Sequence, residues 1–229
     1  MKNLKQCLIA PLIVVGFVAA AFLINTFGYN GDCTEFLKDG GPNDIATYFF
    51  YGVLLVSLIV FRKDFANKKA KRLHALFCFF TVAAVLREAG IQHWLASRDT
   101  TAMKLRFFTN PDNPIGEKIL SGLIILSFAA VFVYTLWTTL PGVFRGFFKM
   151  NPLYWSIMTF LADGFVSKVV DRIPGNLRKW GVLLDLEWYT ACKVVEETME
   201  TCLPVLAIYA LWQYHTLKSA ERAADASAA

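Results

Sequence analysis

The stretch "YTACKVVEETMETCLPVLAIYALWQYH", residues 189–215, joins a charged half to a half that reads as the interior of a membrane. The first half carries Lys193, Glu196, Glu197 and Glu200. On a helix with Lys193 set at zero, Glu197 falls at about 40°, Glu200 at about 340° and Glu196 at about 300°. Tyr189, at about 320°, joins the same arc. The four ionisable groups therefore make one stripe, and Val194, Val195 and Cys202 make the apolar back. Each acid or lysine at mid-span costs about 2.5–3.5 kcal/mol on insertion scales. Discounted for interfacial depth, four of them still cost about 5 kcal/mol, comparable to the whole stability of many proteins. Such a stripe is expected to face a bundle interior or a wet cavity. A competing reading starts the helix late, at Pro204, and leaves the glutamates at the interface with Lys193 pairing Glu197.

The rest of the chain fits a membrane setting. Of its 229 residues, 56% are hydrophobic and only 18% charged, where a soluble domain carries about a quarter charged. Six apolar segments are expected to span: about 7–27, 45–61, 73–95, 119–140, 153–170 and 189–214, each of roughly the length that crosses hydrocarbon. The first follows "MKNLKQ" and is longer than a signal-peptide core, so it reads as a retained signal anchor. The fifth is the weakest, because it is short and carries Asp163 and Lys168. The turn signals "GYNGD", "DGGPND", "TNPDNP" and "RIPGN" lie between the segments. The apolar runs lack the alternation of barrel strands. The expected fold is an all-α, six-helix transmembrane bundle, a single domain over 1–217 with a polar, frayed cytoplasmic tail over 218–229.

The net charge of +5 does not point to nucleic acid, because its densest cluster sits in one short loop, residues 62–72, between two apolar runs. That is the pattern of a cytoplasmic membrane loop. With both termini inside, twelve Lys and Arg fall on inner segments and eight on longer outer ones. Tryptophan agrees: Trp94, Trp180 and Trp188 fall at expected outer ends, and Trp137, Trp155 and Trp212 at inner ends. The expected location is a bacterial inner membrane, multi-pass, both ends cytoplasmic.

Two further spans carry polar faces. Ser156, Thr159, Asp163, Ser167 and Asp171 recur at helical spacing, as do Thr81, Glu88 and Gln92, with Arg87 about 100° away. The candidate ligand- or ion-binding set is Glu88, Asp163, Glu196 and Glu200, with Lys193 and Arg87 as charge partners and His93 near the outer surface. Clustered acids of this kind share protons or hold a hard divalent cation. Lys168, Lys193 and Arg87 could instead neutralise the acids internally or hold an anionic head group. The segment 86–119 reads as an interfacial amphipathic helix or a lid over the site.

Several chemistries are disfavoured. The three histidines, His74, His93 and His215, are spread over both expected membrane faces, so they do not converge as zinc ligands. No H-E-x-x-H or Glu-x-x-His pair occurs, and no G-x-S-x-G lies in a span. Cys33 stands alone in an expected outer loop, with Cys192 its one conceivable disulfide partner. The leading function is a site that binds or conducts an ion, a proton or a small polar or lipid head group. One alternative is a membrane-embedded, metal-dependent lipid hydrolase or transferase with His93 as base. Another is an interaction or assembly subunit whose stripe is satisfied by a membrane-protein partner. The lipid bilayer is the partner common to all three.

Overall fold

A computed structural model describes residues 2–28, 33–38, 40–91 and 104–228. The described chain is helical, with no strand. Helix α1 spans Lys2–Leu23 and ends in a wider turn at Ile24–Gly28. A single turn, α2, covers Thr34–Leu37. Then come α3 at Pro42–Val60, α4 at Lys68–Glu88, the short α5 at Leu105–Thr109, α6 at Ile115–Phe148, α7 at Pro152–Lys179 and α8 at Leu186–Ala228.

Among the described residues four helical stretches are long and apolar enough to cross a membrane: Leu4–Gly28, Thr34–Asp64, Ile115–Phe148 and Pro152–Lys179. They contain the first, second, fourth and fifth expected spans. The other two expected spans fall on α4 and α8, which do not meet that test. In α4 the apolar run between Arg72 and Arg87 extends only about 21 Å. In α8 the cause is the charged stripe itself. The fifth segment, doubtful in the sequence, is an unbroken 28-residue helix. Pro152 at its first turn and the Asn151 side chain, which accepts from Leu153 N–H at 3.1 Å, set its start. Gly181, at φ +81°, supplies the left-handed turn that ends it.

The chain forms two compact bodies. One comprises Met1–His74 with Val143–Ala229, the other Ala75–Gly142. In the first, α8 is the axis, packing against α7, α3 and α1. Its back does not face lipid: Val194, Cys202 and Leu206 are fully buried. Cys202 and Leu206 join Ala10 of α1, flanked by Ile13, Phe17 and Phe160. Val194 joins Ala21, Cys33 and Phe36. Small residues at these crossings let the backbones approach closely, the usual packing device where lipid surrounds a bundle. Polar threads lie across the same interfaces. Thr201 Oγ1 is 2.5 Å from Thr47 Oγ1 and donates to Asn43 Oδ1 at 3.0 Å, and Ser156 Oγ donates to Gln213 Oε1 at 2.8 Å. The turn into α7 is tight. Gly146 lies against the Tyr154 ring with no room for a Cβ, and Trp155 Nε1 donates to Phe147 O at 3.1 Å.

The second body is aromatic. Phe80 meets Phe128 edge-on at 5.6 Å, and Phe128 stacks with Phe132. Phe107 is fully buried, and Asn113 Nδ2 donates to its carbonyl at 2.9 Å. In both bodies large apolar side chains such as Phe49, Ile59, Leu126, Trp137 and Phe165 are exposed. Lipid favours such a surface, and it requires helices that satisfy their own backbone groups.

Beyond Lys218, where the sequence reads as a frayed tail, α8 continues as helix to Ala228. A tether explains this. Arg222 pairs with Asp64 at the end of α3, and Lys218 pairs with Glu221 at 2.5 Å. All five cysteines are free thiols, and Cys33 donates to Asn25 Oδ1 at 3.4 Å.

Candidate functional site

The α7–α8 interface assembles the stripe into a ladder. On α7, Ser156, Asp163, Ser167 and Asp171 lie seven, four and four residues apart, so they follow one face. On α8, Lys193, Glu196 and Glu200 do the same. Lys193 Nζ donates to Asp171 at 2.6 Å and to Glu196 at 2.9 Å. Lys168 Nζ lies 3.5 Å from Glu196 and bonds Glu200. Arg172 stands 3.7 Å from Asp171. Acids and ammonium groups therefore alternate, from Asp171 through Lys193, Glu196 and Lys168 to Glu200. Both glutamates are buried, 6% and 9% exposed, while the Lys168 side chain is 54% exposed. Lys168 lays its stem along α7 and delivers its head into the seam.

Helix α8 starts at Leu186, well before Pro204, and the glutamates are buried against α7. The helix itself therefore does not begin at Pro204. Lys193 pairs across to Asp171 as well as along its own helix to Glu196.

Asp163 is the exception in the seam. It is 3% exposed, and neither carboxyl oxygen has a hydrogen-bond partner. Ser167, one turn further along α7 and fully buried, has an unpartnered hydroxyl, as has Thr198 on α8. Buried polar groups are nearly always satisfied in native proteins, so these exceptions set this part of the seam apart from the paired ladder.

Of the remaining candidates, Arg87 and Glu88 belong to the second body and pair with each other at 2.6 Å. His93 lies outside the described residues, as do residues 92–103 of the segment read as a lid. Among the described residues no three His, Cys, Asp or Glu side chains converge as metal ligands. The spaces between the ladder's carboxylates are filled by ammonium groups.

A second polar centre, not singled out in the sequence, lies at the other end of α8. Asp64, in the basic loop and almost fully buried, is held by His215 Nδ1 at 2.7 Å and by Arg222. The Phe61 ring stacks on His215 at 4.3 Å. His74 Nε2 lies 2.9 Å from Leu58 O, and its ring is 4.8 Å from Phe65. Two signals for this centre were present: Asp64 is the lone acid among six basic residues, and His215 and Arg222 lie seven apart on one helix face. Their pairing spans more than 150 positions, which no local pattern reports.

No known protein family, curated protein or solved structure matches the chain.

Proposed function

We propose that this is a six-span protein of a bacterial inner membrane, with both termini cytoplasmic, whose α7–α8 seam binds a proton or a small cation at Asp163. The observation that carries the reading is the buried Asp163 carboxyl with both oxygens unbonded, in a seam where the other acids are paired. An isolated buried carboxylate is too costly to persist. A proton or a bound cation removes that cost, and the Ser167 hydroxyl one turn away is a ready second ligand.

The extent of the seam supports passage as well as binding. From Lys193 to His215, α8 advances about 33 Å, close to the roughly 30 Å of a hydrocarbon core. Along that length lie the ladder, the Thr201–Thr47–Asn43 cluster, the Ser156–Gln213 bond and the His215–Asp64 pair. Ionisable and hydroxyl groups lined up inside a bundle are the material of proton relays. The lipid hydrolase reading lacks a converging ligand group among the described residues.

Dicyclohexylcarbodiimide tests the site. The reagent enters apolar regions and takes up a carboxyl proton as the carboxyl oxygen adds to its central carbon. Peptide mapping of treated membranes should find the adduct on Asp163, and the Asp163→Asn variant should lose it. Modification of Glu196 or Glu200 with Asp163 untouched would sink the proposal.

The topology rests on the basic 62–72 loop and on the placement of the six tryptophans. In a cysteine-free background, single cysteines at positions 68 and 225 should resist an impermeant thiol reagent in intact cells, and one at 110 should react. Labelling at 225 with protection at 68 would remove one crossing.

A further inference from the structure

A cavity of about 560 Å³ opens where α7 ends and α8 begins. Four cationic side chains line it, Arg172, Arg178, Lys179 and Lys193, against one carboxylate, Asp171. Lys193 is already committed to Asp171 and Glu196, and Arg172 leans on Asp171 at 3.7 Å. Arg178 and Lys179 meet no acid among the described residues. The fold therefore gathers more positive charge around this space than it neutralises.

The other lining groups are apolar or uncharged, Val182, Leu183 and Tyr189 among them. On the same turn Trp180, Leu186 and Trp188 are exposed. Exposed tryptophan beside basic side chains is the pattern of the membrane–water boundary, where lipid phosphates lie. The C-terminal end of α7 would repel an anion, but its last carbonyls are engaged. Trp180 N–H donates to Asn176 O at 3.3 Å, Gly181 N–H to Arg178 O at 3.1 Å and Val182 N–H to Leu177 O at 2.9 Å. Guanidinium offers a phosphate two parallel donors, and a neighbouring lysine adds a point charge.

We propose that this cavity binds the phosphate of an anionic phospholipid through Arg178 and Lys179, with Val182 and Leu183 against the glycerol and upper acyl carbons. The proposal rests on the membrane reading alone and is independent of what Asp163 binds, so the carbodiimide experiment can fail while this one succeeds.

The test uses the full chain in nanodiscs of phosphatidylcholine with a minor share of phosphatidylglycerol, and native mass spectrometry of the lipid retained on release. The parent should retain phosphatidylglycerol preferentially. Removing both charges in Arg178→Gln/Lys179→Gln should weaken that retention about 30-fold, with about a fifth of the affinity left per charge removed. The charge-keeping exchange Arg178→Lys/Lys179→Arg should restore most of it, which separates binding from folding. Removing the same charge elsewhere, in Lys63→Gln/Lys69→Gln, should leave retention intact. Equal retention in the first variant, or equal loss in the last, overturns the site. Inorganic phosphate and glycerol 3-phosphate should not displace the lipid. Displacement by either at matched concentration assigns the cavity to a soluble phosphate ester and overturns the lipid.

Discussion

Glu200 and Asp163 are both acids buried where α7 meets α8, yet the fold treats them in opposite ways. Glu200 is bonded by Lys168, whose stem reaches in from the edge of α7. Asp163 is buried more deeply and touches no donor. The difference follows from depth along the helix. Lys168 sits one turn beyond Gly164 and can reach forward to the next acid, while nothing basic lies on the α7 or α8 turns level with Asp163. Where a neighbouring helix supplies an ammonium group, a membrane acid becomes part of the structure. Where none does, the acid is left without a hydrogen-bond partner in the fold.

Reversing the charge at the paired acid should give the largest effect. Glu200→Lys puts an ammonium on a buried helix face against Lys168. The half-exposed Lys168 lowers the cost of about 3–5 kcal/mol that breaking a fully buried pair carries, but the new lysine has no acid in its place. The variant should fail to accumulate or should melt far below the parent. Glu200→Gln keeps the size and a hydrogen-bond acceptor, so its loss should be about half as large or less. Lys168, being half exposed, can turn back to water in that variant. If both variants melt with the parent, Glu200 is not confined and the contrast with Asp163 collapses.

The unpaired acid should show the smallest effect. Asp163→Asn removes no bond present in the fold, so its melting temperature should match or exceed that of the parent, within about 1 kcal/mol. Added Mg²⁺ or Ca²⁺ should leave both proteins unchanged, because lysines fill the ladder and one carboxylate with a hydroxyl gives a divalent ion too few oxygens. A strong destabilisation by Asp163→Asn would show that the carboxyl has a structural partner. A rise in melting temperature with Mg²⁺ that needs Glu196 or Glu200 would return the ladder to the role of a cation site.

Helical class, apolar surface and polar stripe were all legible along the chain, because each is a property of spacing on a single helix. The i, i+3 and i+4 arithmetic placed Lys193, Glu196 and Glu200 on one arc, and the same arithmetic put Ser156, Asp163, Ser167 and Asp171 on another. Hydropathy was less informative for α8. It measures a helix against lipid, and the stripe lowers that measure, although α8 is the helix the first body wraps most completely. Glu88 looked like a further member of the seam because it shares a helical face with Thr81 and Gln92, with Arg87 about 100° away as its charge partner, and in the structure Arg87 and Glu88 pair with each other in the second body.

The sequence by itself determined that this chain makes membrane-compatible helices and that two of them carry acids on a continuous face, since local periodicity dictates both. Only the tertiary structure decided which acids are neutralised. Whether Lys168 reaches Glu200, whether Asp64 meets His215 and Arg222, and whether Asp163 is left without a hydrogen-bond partner depend on the rotation and offset of one helix against another. Those are fixed by small-residue packing at Ala10, Ala21 and Cys202 and by the Gly146–Tyr154 approach. These contacts join residues far apart in the chain, and no periodicity records them.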